Sequence, residues 1–169
     1  EAITGLDLVE WQIRVASGEK LPLKQAEIKR NGCAIEARLY AENPETGFLP
    51  STGRLQHLRL PGAVRFDSGF EAGDEVTPHY DPMLAKLIAH APTRETAAQG
   101  LAAACGSVEI WPVRSNASFL ARTLAHSAFR AGDVDTGFIE SHLPLLAAPP
   151  MPSARALQAA AHALVSRSA

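Results

Sequence analysis

The chain has 169 residues, 46% of them hydrophobic, enough to bury one sizeable core and unlike the composition of a disordered tail. Its formal net charge of -2, with no long run of lysine or arginine, excludes the electrostatic footprint of a nucleic-acid or anionic-membrane binder. Cys33 and Cys105 are too few and too far apart for a disulfide framework, and no apolar run is long enough to span a membrane. No charged-then-apolar leader pattern opens the chain, so a soluble protein of a reducing, cytoplasmic setting is expected.

The first residue is Glu1 rather than methionine and a helical pattern follows almost at once, which is expected of a piece of a longer polypeptide. Thr4 and Asp7 stand three apart, as in a capping box with aspartate in the acidic position. Leu6, Val9, Ile13 and Ala16 follow at helical spacing until Gly18, and these predict the first helix. From about residue 26 the period changes. In CAIEARLYAE, residues 33 to 42, Ile35, Ala37, Leu39 and Ala41 point one way while Glu36, Arg38, Tyr40 and Glu42 point the other, as a half-buried strand requires.

The loop ENPETGFLPSTG, residues 42 to 53, holds two prolines and two glycines and covers irregular ground. Short strands are predicted in RLQHLRL and AVRFD, with Pro61-Gly62 as the turn between them, so the middle third reads as antiparallel. Residues 77 to 93 stay open between two readings: Asp81-Pro82 has the form of a helix start, yet LAKLIAHA is short enough for a buried strand. Thr93 caps an alanine-rich helix and Ser115 a second, each closed by a glycine. Residues 136 to 146 predict a short helix, AAPPMPS a linker, and SARALQAAAHALVSR a terminal helix.

Five segments, in this order, resemble the C-terminal portion of biotin carboxylase: EAITGLDLVEWQIRVASGEKLPL, GCAIEARLYAENP, FLPSTGRL, YDPMLAKLI and FRAGDVDTGFIESH. The resemblance runs over residues 1 to 146, with the wording closest to carboxylase subunits that act with acetyl-, propionyl- or methylcrotonyl-CoA partners. It implies an α+β fold, antiparallel β-rich and barrel-sandwich-hybrid-like with flanking helices, over residues 1 to 146, and a linker and helix over 147 to 169. It also implies an ATP-grasp region ahead of this one on the same polypeptide. That region would carry the glycine-rich lid, the magnesium-binding glutamates and the catalytic base, so the fragment alone is expected to be inactive.

The implied reaction uses ATP and bicarbonate to carboxylate a ureido nitrogen of biotin. As that nitrogen loses its proton, negative charge moves onto the ureido oxygen, where a fixed cation stabilises it. Arg38 matches the family position that does this; its guanidinium carries permanent charge and offers a planar fork of donors. Alternation alone leaves another role open, a surface arginine paired with Glu36 or Glu42.

Asp81 falls on a family position beside biotin and the arginine, where a carboxylate would orient the guanidinium; its alternative is the turn cap already noted. Glu36 and Tyr40 share the Arg38 face as supports or as framework partners. Thr136 and Gly137 align with a segment near the adenine of ATP in the family, against the alternative of a plain helix start. Arg65 and Phe66 align near the surface by which such subunits pair, and Lys86 is assigned no role.

The implied cofactors are biotin, carried elsewhere, and ATP with Mg2+ or Mn2+ held mainly by the ATP-grasp region. The implied partners are a biotin carboxyl carrier domain, a carboxyltransferase subunit and a second copy in a homodimer. No metal site is expected in this chain: His79 and His90 flank Asp81 at a spacing that matches no ligand pattern. No serine has a nucleophile-elbow setting, and Cys105 reads as a packed thiol. The rival to an enzyme part is a scaffold or dimerisation module of the same fold.

Overall fold

A computed structural model describes residues 1–149, 151–152 and 154–167. Its centre is a three-stranded antiparallel sheet in the order β1 (Cys33–Tyr40), β8 (Met83–Ala91), β6 (Arg65–Ser68). Three two-stranded ribbons surround it, pairing β2 (Glu42–Asn43) with β3 (Leu49–Pro50), β4 (Gly53–Arg54) with β7 (Glu75–Val76), and β5 (His57–Arg59) with β9 (Glu109–Trp111). All pairs are antiparallel, and the expected α+β class holds. Among the described residues the strands do not close into a barrel, because the central sheet stops at β1 on one side and β6 on the other.

The alternation in β1 does what it predicts. Ile35, Ala37 and Leu39 are buried, whereas Glu36 and Arg38 face solvent. The segment left open between helix and strand is β8, nine residues long. Both its edges carry ladder hydrogen bonds, to β1 and to β6, and this two-sided pairing selects the strand. Helix α2 (Arg94–Gly106) lies on the buried face and inserts Ala97, Ala98, Leu101, Ala104 and Cys105 against Leu39, Leu87 and Ala89. Burying Leu39, Leu87 and Leu101 completely stabilises the fold by about 1.5–3 kcal/mol each.

Several helix ends differ from expectation. In α1 (Leu8–Ala16) the cap is Asp7, whose Oδ1 accepts from the backbone N–H of Val9 at 3.0 Å and of Glu10 at 2.9 Å. Thr4 instead closes a separate turn onto the Glu1 carbonyl. Ser115 does not cap the next helix: Asn116 holds the cap position of α3 (Ala117–Ala125). The expected single helix there breaks at His126, whose backbone is extended and whose Nδ1 accepts from Ala128, starting α4 (Ser127–Ala131).

Gly106 is the last residue of α2 rather than a stop after it; Gly132, at φ 83°, does end α4. Helix α5 (Phe138–Leu146) accommodates Pro144, and α6 (Ala154–Arg167) follows. Positions 150 and 153 of the expected linker, and 168–169 at the end, lie outside the described residues.

Candidate active site

The outward face of the central sheet carries Glu36 and Arg38 on β1, Lys86 on β8, and Arg65 and Asp67 on β6. Antiparallel register places Arg38 directly opposite Lys86 and Asp67 opposite Lys86 on the other side. Two cations face each other across one rung, an arrangement that costs stability unless each finds a counter-charge. Each does: Arg38 Nε donates to Glu36 Oε1 at 3.4 Å, and Lys86 Nζ lies 3.6 Å from Asp67 Oδ2. Asp67 in turn takes Arg65 in a two-pronged contact at 3.1 and 3.2 Å, and Arg65 reaches Glu1 at 3.2 Å. Glu36, Arg65, Asp67 and Lys86 border one open hollow of ≈ 710 Å³.

The Arg38 side chain is 64% exposed, so its tip is available. The carboxylate of Glu36, and after it the phenol of Tyr40, hold its proton more firmly than usual, on a guanidinium that is charged at working pH in any case. Arg65 holds Asp67 below the usual carboxylate range, so the counter-charge to Lys86 persists at acidic pH.

Below Arg38 the backbone departs from a regular ladder. Leu39 pairs with Ala85 but Tyr40 with Met83, so Leu84 is an extra residue on β8 and forms a bulge. Residues 38 to 40 sit on the edge of β1 that no strand covers, and Asn116 meets them there. Its Oδ1 accepts from the Tyr40 N–H at 2.9 Å, its Nδ2 donates to the Arg38 carbonyl at 3.2 Å, and its own N–H donates to the Tyr40 carbonyl at 3.1 Å. Sequence reasoning missed this residue. Asn116 lies 78 positions from Arg38, and its place at a helix start gave it a sufficient local explanation.

The other expected site residues divide. Glu36, Tyr40 and Arg38 come together as the alternation implies. Asp81 is exposed just ahead of β8, and its carboxylate makes no hydrogen bond or ion pair among the described residues. Its electrostatic neighbour is Glu42, whose carboxyl is pushed up by partial burial and then by the Asp81 charge. The contacts that hold Arg38 therefore come from Glu36 and Tyr40.

Thr136 and Gly137 sit at the start of α5, where Asp135 Oδ1 accepts the Gly137 N–H at 2.9 Å; the turn belongs to Asp135 rather than to Thr136. Next to them His126, Phe138 and His142 form a ring cluster, with centroids 4.6 to 5.1 Å apart. Arg65 and Phe66 are both exposed on β6. Among the described residues no three His, Cys, Asp or Glu side chains converge as metal ligands. No helix there is long and apolar enough to cross a membrane.

The sequence profile described as Biotin carboxylase C-terminal domain matches residues 36–141 and so includes both Arg38 and Asn116. The chain is 49% identical over 145 residues to the mitochondrial methylcrotonoyl-CoA carboxylase subunit alpha of Mus musculus, covering 84% of this chain and 20% of that protein. To the biotin carboxylase of Halalkalibacterium halodurans it is 46% identical, covering 85% of this chain and 32% of that one.

The solved biotin carboxylase subunit of a pyruvate carboxylase superposes with a TM-score of 0.83 at 39% identity, over 88% of this chain and 33% of its own. The biotin carboxylase domain of Hydrogenobacter thermophilus 2-oxoglutarate carboxylase, a dimer with MgADP, ADP and bicarbonate, gives 0.82 at 37%, over 88% and 33%. The chain thus spans a fifth to a third of the length of these relatives. An outward arginine on a sheet of this topology, under a profile that matches 106 consecutive residues, places the chain in the biotin carboxylase C-terminal domain family.

Proposed function

We propose that this chain forms the biotin-facing wall of a biotin carboxylase, and that the complete protein carboxylates biotin with ATP and bicarbonate as part of an acyl-CoA carboxylase. Bound biotin supplies the ureido nitrogen that accepts the carboxyl group. The chain contributes the cation on the other side of that chemistry. Arg38 is rooted in a ladder, exposed at its tip and unable to give up its proton at working pH, so it can face an oxygen as negative charge develops there without exchanging protons with it. Lys86, opposite on the next strand, raises the positive potential of the same face. Arg38 is the single observation that carries the assignment.

The residues fit biotin better than they fit a nucleotide-bound metal. An exposed guanidinium suits a carbonyl oxygen, whereas no cluster of metal-ligating side chains converges among the described residues. In this proposal ATP and its Mg2+ or Mn2+ belong mainly to an ATP-grasp region of the same polypeptide, as the family resemblance implies. Thr136, Gly137 and the aromatic cluster behind them are proposed as its adenine-side neighbours. A biotin carboxyl carrier domain and a carboxyltransferase subunit complete the assembly. Pairing of two copies through the exposed Arg65 and Phe66 belongs to the same proposal, and a relative of known structure is a dimer. So does a reducing, cytoplasmic setting, which suits two free thiols.

The test is ATP-dependent carboxylation of free biotin by the complete enzyme. Arg38→Ala is expected to slow it about 10²–10³-fold, the scale of losing one donor to a developing oxyanion. Near-normal turnover in that variant removes Arg38 from the mechanism.

A further inference from the structure

The edge of β1 that faces away from β8 exposes backbone groups that need partners. At residues 38 to 40, beside the bulge, three of them are met by one residue. Asn116 is only 5% exposed, yet it uses its amide oxygen, amide nitrogen and main-chain N–H on Tyr40 and Arg38, at 2.9, 3.2 and 3.1 Å. A carboxamide is the side chain that can accept and donate side by side in this way.

An asparagine at a helix start ordinarily turns its oxygen onto the N–H groups of its own first turn. Here α3 receives no side-chain cap from Asn116, because the carboxamide is committed to β1 instead. A residue placed only to start α3 would make the opposite choice.

We infer that Asn116 is a positioning residue for the carboxylation step, acting through Arg38 by fixing the peptide from which the guanidinium projects. The inference rests on the assignment of Arg38 to the biotin side. The bulge leaves this stretch with irregular pairing to β8, so without the clamp the root of Arg38 is free to shift along the strand edge. Displacements of about 1 Å at a reacting centre are enough to cost orders of magnitude in rate. The carboxamide is unsuited to proton transfer, so its contribution is geometric.

A double-mutant cycle in the complete enzyme separates this role from a merely structural one. Asn116→Asp keeps the acceptor for Tyr40 but loses the donor to the Arg38 carbonyl. Asn116→Ser, which also lacks the amide donor, replaces it if the aspartate variant does not fold. The expected result is a kcat about tenfold lower with the KM for ATP unchanged. In the Arg38→Ala background the same substitution should lower kcat no further, while its effect on Tm persists in both backgrounds.

An equal loss of kcat in both backgrounds, or a folded variant with wild-type kcat, overturns the inference and leaves Arg38 in place. If the wild type does not carboxylate biotin, or Arg38→Ala matches it, the assignment of Arg38 fails first and this inference with it.

Discussion

Strand β1 and helix α1 carry equally clear amphipathic patterns, yet the fold uses them in opposite ways. In β1 every inward residue is packed, and Leu39 is fully enclosed by β8 and α2. In α1 no residue is buried: Ile13 is 63% exposed and Val9 60%, with Leu8 and Val15 also open. Periodicity thus reports that a face is apolar, not that the same chain covers it. The strand gains its partners from segments 40 to 60 positions away in sequence, whereas the helix holds its shape through local bonds at Asp7 and Gly18.

Substitutions can break or sharpen that contrast. The largest effect is expected at Leu39→Ala, which removes a fully enclosed side chain and should cost about 2–5 kcal/mol in urea unfolding. The same packed layer should show in alkaline pH. Burial against the sheet pushes the Cys105 thiol up from 9.0 to about 11. The folded state therefore holds this proton more tightly than the unfolded chain does. The associated stability is complete below about pH 9 and is lost as pH rises through about 11. Cys105→Ala should flatten this arm of the stability profile, and a thiol reagent at neutral pH should label Cys33 well before Cys105.

Smaller effects belong to α1. Asp7→Ala removes both cap bonds and should weaken the helix by about 1 kcal/mol, seen as faster amide exchange at Val9 and Glu10 with little change in Tm. Ile13→Ser should alter global stability by no more than about 0.5 kcal/mol, because it empties no packed site. A loss at Ile13 as large as that at Leu39 would abolish the distinction.

The elements most legible in the sequence were those whose pattern is local. The alternation through CAIEARLYAE located β1 and put Glu36, Arg38 and Tyr40 on one face. Thr93 capped α2 as expected, its hydroxyl accepting from Thr96 at 3.2 Å. What escaped depended on distant partners. LAKLIAHA became a strand because β1 and β6 bond to both its edges, and the break at His126 is made by a ring nitrogen with no glycine or proline to announce it.

In the candidate site, Arg38 was legible from alternation and resemblance together. Lys86 was not: its position opposite Arg38 follows from the register of two strands 48 residues apart, which neither strand encodes alone. Arg38 here touches Glu36 and Tyr40, the neighbours two positions away on the same face, and the role suggested for Asp81 beside the guanidinium belongs with the proposed biotin site.

The bulge and clamp beneath Arg38 also bear on the entropy of binding. A free arginine gives up about 2 kcal/mol of rotameric freedom when a ligand fixes it. Here Asn116 ties down the main chain at its base, while the exposed side chain, which meets only Glu36 and Tyr40, keeps its torsions for a ligand to order. Part of the ordering cost of recognition is thus met when the chain folds, before any ligand arrives.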